Sequence, residues 1–269
     1  MSQVKVTVPA GTVLERYDSL HRVGSLVHIE PAHEEHPWPA GVPSSVPNLC
    51  GNVAAHVVGG PSSTLTVSDT LSGSGGMVER TAKGGLHFIV SRSTSQGGNV
   101  WQANLPQALK SFISASETRQ HVTFLGAALR VTRVGSSSPA SQVIRLAQSS
   151  SATRAGIDVG GASVYGSAAP NIYVLGNGSF ASPGAGTAYI AVNNATSYIG
   201  DPFFHGGPLS GAHVNKAPSW ILYEIYVEDC TVSGRTWQEA RDEFAARTAE
   251  KFATVWADDT WSDPATVMP

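Results

Sequence analysis

Ile221-Leu222-Tyr223-Glu224-Ile225-Tyr226-Val227-Glu228 is the stretch on which the fold reading turns. It is built from β-branched and aromatic residues that alternate with a period of two. Ile221, Tyr223, Ile225 and Val227 share one face of a strand, and Leu222, Glu224, Tyr226 and Glu228 share the other. The pattern predicts a long strand with one face on a core and its carboxylates toward solvent or an interface.

Shorter runs of the same kind lie upstream: Leu86/Phe88/Val90, Leu129/Val131 around Arg130, and Ile144/Leu146 around Arg145. Ile157/Val159, Ile172/Val174 and Ile190/Val192 continue the series. Between them stand turn clusters: Ser72-Gly73-Ser74-Gly75-Gly76, Gly97-Gly98-Asn99, Ser136-Ser137-Ser138-Pro139 and Gly176-Asn177-Gly178-Ser179. Glycine and asparagine supply the positive φ angles of tight turns. Many short strands with regular turn signals predict an antiparallel β-sandwich or jelly roll. A parallel α/β sheet is disfavoured, because no amphipathic helices alternate with the strands.

The bulk properties agree. The 269 residues hold 41% hydrophobic and only 14% charged residues, with a net charge of −3. Such a chain can bury a large core, and it lacks the basic excess that nucleic-acid binding needs. No run approaches the ~18 apolar residues of a membrane span. The opening Val4, Val6 and Val8 alternate like a strand rather than forming a secretory signal, so synthesis in a cytoplasm without export is expected. Cys50 and Cys230 match no metal spacing; two buried free thiols are expected, with a bridge left open. Low charge also favours oligomers.

One helix is clear. Thr236-Trp237-Gln238-Glu239 forms a capping box, and Trp237, Ala240, Phe244, Thr248, Phe252 and Val255 follow on one face. That stripe should dock on the sheet or on a neighbouring subunit. The first 47 residues are punctuated by Pro31, Pro37, Pro39, Pro43 and Pro47, which suits an extended arm better than central strands. The expected organisation is an N-terminal docking arm over 1–47, a β-sandwich over 48–235, and a C-terminal helix and tail over 236–269.

Candidate sites are few. His28, His33 and His36 stand near Glu30, Glu34 and Glu35, but off a helix and among prolines they match no strong zinc spacing. A solvated or interface segment is expected there, and no metal. Glu224 and Glu228 resemble the paired carboxylates of jelly-roll glycosidases. A retaining mechanism needs about 5–5.5 Å between carboxyls, whereas four strand steps span roughly 13 Å. Tyr226 also stands where the central acid would be. Asn177-Gly178-Ser179 and Asn194-Ala195-Thr196 read as turns rather than glycosylation sites. Trp101, Phe203, Phe204 and His205 are core or interface residues, or a stacking platform for sugars. No catalytic, cofactor-binding or metal residue is assigned, and no cofactor is expected.

Tyr223 to Gly234, followed by the helix from Arg235 to Phe252, resembles the closing strand and helix of concanavalin A-like (laminin-G-like) jelly rolls. Gly41-Val42-Pro43 with Val46-Pro47-Asn48-Leu49, and the run from Glu79 to Val90, resemble segments of minor tail proteins of siphophages infecting actinobacteria. The resemblance implies a non-enzymatic virion protein at the tail tip, made in the host cytoplasm and often homotrimeric. Its implied partners are copies of itself, other tail proteins and a host-surface glycan, with neither nucleic acid nor membrane insertion. The acidic metal loop and sugar-binding residues of plant lectins have no counterpart here. Two other readings stay open: a polysaccharide-acting glycoside hydrolase using Glu224 and Glu228, and a free carbohydrate-binding module.

Overall fold

The computed structural model describes residues 18–33, 38, 43–91, 99–114, 121–135, 141–147, 154–159, 164–166, 172–176, 184–193, 204–206 and 218–269. In chain order the first strands are β1 (Ser25–Ile29), β2 (Ser45–Pro47), β3 (Thr64–Asp69), β4 (Gly76–Arg80), β5 (Leu86–Val90) and β6 (Trp101–Asn104). They are followed by β7 (Val122–Arg133), β8 (Ser141–Ala147), β9 (Arg154–Val159) and β10 (Val164–Gly166). The last are β11 (Ile172–Gly176), β12 (Gly184–Asn193), β13 (Phe204–Gly206) and β14 (Ser219–Asp229). Short helices α1 (Gly51–Val58), α2 (Gln107–Ser114), α3 (Cys230–Ser233) and α5 (Pro264–Val267) accompany the long α4 (Trp237–Ala253).

The protein is mainly β. One sheet runs β11-β12-β7-β14-β5-β4, with β1 also on β14, and the second runs β10-β9-β8-β13-β6-β3-β2. Pairing is antiparallel throughout both sheets. A single core joins them: Phe88, Leu125, Leu129, Trp220 and Val227 from the first sheet meet Leu65, Trp101, Ile144 and Phe204 from the second. This is a β-sandwich with a helix on its outer side.

The longest strand departs from simple alternation. On one edge β14 pairs with β7 along its length. On the other, Trp220–Leu222 pair with β5 and Ile225–Glu228 pair with β1. Where the neighbour changes, a β-bulge intervenes: Leu222 faces Leu129, Glu224 faces Ala128, and Tyr223 is the extra residue. The alternation therefore slips by one. Trp220, Leu222, Ile225 and Val227 enter the inner core, while Ile221, Tyr223 and Tyr226 belong to clusters on the outer face. The expected pairing of Ile221 and Tyr223 with Ile225 and Val227 on one face is corrected by this bulge.

The arm expected over 1–47 is also corrected for the part described. β1 is buried along its whole length in the first sheet, and β2 forms an edge of the second. The prolines do not oppose this. Pro31 follows β1, and Pro47 ends an edge strand, where a missing amide costs no ladder bond. Trp38 is buried and stacks on Trp101 at 5.9 Å. Residues 1–17 and the sequons at 177–179 and 194–196 lie outside the described residues.

Helix α4 covers the outer face of the first sheet. Its capping box forms as expected, with Thr236 accepting from the Glu239 amide and Glu239 accepting from the Thr236 amide. Ala240, Phe244 and Thr248 are buried, whereas the helix ends before Val255, which is 51% exposed. The close approach has a cause in β7: a Cβ on Gly126 would stand 2.5 Å from the Phe244 ring. The tail beyond α4 is also fixed to the sheet. Trp256 stacks on Tyr223 at 4.9 Å, and the Tyr223 hydroxyl donates to Asp259 at 2.8 Å. Arg133 donates to the carbonyls of Pro264 and Met268.

Candidate functional site

Among the described residues, ionisable side chains gather on the outer face of β14. Glu224 and Glu228, expected on a solvent or interface face, are both fully buried. The physical reason is that α4 and the segment before β1 lie over that face and bring cations to it.

Glu224 accepts from His28 Nε2 at 2.9 Å, from Arg247 Nε at 2.9 Å and from Lys251 Nζ at 3.2 Å. Arg247 reaches further, donating to both carboxylate oxygens of Asp18 at 2.8 and 2.5 Å and to Glu30 at 3.3 Å. Lys251 lies 2.7 Å from Glu30. Burial alone would raise the Glu224 carboxyl, but the His28 hydrogen bond and the Lys251 and Arg247 charges hold it far below the usual carboxylate range. Asp18 behaves likewise: burial opposes ionisation, and His28, the Leu20 amide and Arg247 outweigh it.

A second network surrounds Glu228. It accepts from the Tyr226 hydroxyl at 2.7 Å, from Ser233 at 2.5 Å and from Arg235 Nε at 2.6 Å, with a further Arg235 contact to its other oxygen. Arg235 also reaches Glu243, which in turn holds Arg22 at 2.5 Å. Burial, then the Glu228 charge, push the Tyr226 hydroxyl well above its ordinary value. A tyrosine beside a carboxylate has the composition of a nucleophile and base. Here the hydroxyl is committed to Glu228, and both groups are sealed from water.

The remaining candidates disperse. Asp18, His28 and Glu30 place one donor atom each within 4.8 Å of one another, the geometry a metal ion would need. Arg247 and Lys251 already neutralise those carboxylates, and His28 Nε2 is used by Glu224, so the donors fit a protein cation better than a metal. His33 is not among those donors, and Glu34, Glu35 and His36 lie outside the described residues. Trp101 and Phe204 are fully buried in the inner core with Phe88 and Trp220, so they offer no sugar platform; Phe203 and the His205 side chain lie outside the described residues. Cys50 and Cys230 are free and buried, and burial raises both thiols, Cys230 to about 12. Among the described residues no helix is long and apolar enough to cross a membrane.

Sequence reading missed Asp18 and Arg22, whose partners Arg247 and Glu243 are more than 200 positions away, and His21, which meets His28 seven positions on. It also missed Glu79. That carboxylate accepts from His87 at 2.8 Å and from Ser262, tying β4 and β5 to the tail. The only signal available was an ionisable residue inside an apolar strand, as at His87 and His28.

No family model matches the sequence, and no curated protein sequence matches it. Among solved structures it is similar to a Trypanosoma rangeli sialidase in complex with sialic acid, at 11% identity and a TM-score of 0.33. The match covers 90% of this chain and 35% of that one, and at such a score it carries no argument.

Proposed function

We propose that the protein is a non-enzymatic structural component of a bacteriophage tail, which assembles with copies of itself and with other tail proteins. The phage assignment rests on the resemblance of Gly41–Leu49 and Glu79–Val90 to minor tail proteins. The non-enzymatic part rests on one observation: Glu224 and Glu228 are buried and neutralised where a hydrolase would need them open. A general acid needs a carboxyl held near the working pH, and Glu224 is shifted the opposite way. The fold hosts many functions, so the site has to decide. Low charge supports assembly, since interface centres are poor in charged residues.

Three measurements test the reading. Light scattering of the full chain at micromolar concentration should give a trimer mass, and labelled antibody should locate the chain at the tail tip of intact virions. A stable monomer would count against self-assembly, and absence from virions would remove the phage assignment. Wild-type cleavage of a bacterial polysaccharide would replace the structural reading with the hydrolase.

A further inference from the structure

The turn over residues 18–24 leads into β1 and is held from two sides. On the sheet side, His21 Nε2 and His28 Nδ1 are 2.7 Å apart. On the helix side, Asp18 pairs with Arg247 and Arg22 pairs with Glu243. Gly24, at φ +107°, joins the turn to β1; a Cβ there would stand 2.7 Å from the Asp229 carbonyl. The turn thus bridges β1 and α4 and joins the strand at a glycine.

The imidazole contact counts protons. His28 Nε2 must carry hydrogen, because its partner is the ionised Glu224. The 2.7 Å gap between His21 and His28 then holds one hydrogen, donated from either ring. A second would set two N–H groups head to head. The surrounding charges set the same limit. Asp18, Glu30 and Glu224 carry three negative charges, and Arg247 and Lys251 carry two positive ones. One proton on the pair brings the cluster to neutrality, and another makes it a buried cation. His33 adds repulsion toward His21 from the turn after β1, and the Tyr226 ring lies edge-on to His28 at 6.0 Å.

We infer that residues 18–24 form an acid-released clasp: the His21–His28 pair accepts one proton, and a second expels His21 and loosens the turn from both β1 and α4. His21 is the ring that leaves, because it is partly exposed while His28 is fully buried. The turn also has anchors without an ionisable partner: the Arg22 amide donates to the Ser25 hydroxyl at 3.0 Å, and Leu20 is buried.

The direction with pH follows. Burial, and then the neighbouring His28, push His21 from 6.5 down to about 4. A histidine lowered in this way binds fewer protons closed than open. The clasp is therefore at full strength above about 6.5 and weakens as the pH falls toward about 4.

Hydrogen exchange of the full chain, corrected for the intrinsic rate, tests this between pH 6.5 and 4.5. Exchange in 18–24 should rise by about tenfold per pH unit, the slope of one proton, while β7 keeps its protection. His21→Gln preserves a donor to His28 without a titrating ring, and should abolish that slope. Unchanged exchange in the wild type, or the same slope in His21→Gln, would overturn the clasp. If the variant does not fold, imidazole NMR of the wild type decides. One proton taken up by the pair before the turn opens supports the clasp, and two taken up with the turn still protected refutes it.

Discussion

Replacing Phe244 with alanine should cost ~3–5 kcal/mol of unfolding free energy, read from denaturant or thermal melts. The ring is fully buried, lies parallel to Tyr226 at 6.2 Å and meets Phe124 edge-on at the same separation. Its seat is a glycine, Gly126, which has no side chain to fill the void. Thr236→Ala removes the cap hydrogen bond and the hydroxyl contact to the Glu239 carboxylate at an exposed helix start, and should cost about 1 kcal/mol. The order of the two values tests the architecture. If Phe244→Ala were neutral while Thr236→Ala was damaging, α4 would be a spacer held by its own first turn, and the sheet contact would be unimportant.

This contrast also marks what the sequence could reveal. The capping box and the spacing of Ala240, Phe244 and Thr248 are local signals, because a helix start and a helix face are set by residues within a few turns. The strand at 219–229 is legible for the same reason, through its period of two. The bulge at Tyr223 is not. It arises where β5 hands over to β1 beside β14, and β1 lies about 200 positions upstream. Nothing in the alternation of Ile221 to Val227 records that change of partner. The carboxylates failed in a related way. Periodicity assigns Glu224 and Glu228 to a face, but whether that face is wet depends on Arg235, Arg247 and His28 arriving from other elements. The prolines misled differently: they dominate the composition of the first 47 residues, while the short apolar run Leu26-Val27-His28-Ile29 carries the structure there. The tail docks through single residues, Trp256, Asp259 and Ser262, and isolated contacts leave no period to read.

Arg235→Met should be comparably damaging, at ~3–5 kcal/mol, because it removes one member of a buried ion pair and leaves the other in place. Among the described residues, Glu228 would keep the hydroxyls of Tyr226 and Ser233 as donors and lose the arginine paired with it, while the carboxylate stays buried. Glu243 loses one of its two arginines in the same step and retains Arg22. The stretch between β14 and α4 is short, so a displaced Glu228 would disturb the end of the strand and the start of the helix together. Adding Glu228→Gln to Arg235→Met removes the stranded charge while keeping an oxygen for the two hydroxyls. The double variant should therefore recover part of the loss, and the recovery measures the coupling between the two residues. A stability change within about 1 kcal/mol for Arg235→Met alone would mean that Glu228 reaches solvent. In that event the carboxylates of β14 would not be sealed fasteners, and the case for reading this face as structure rather than chemistry would fall with them.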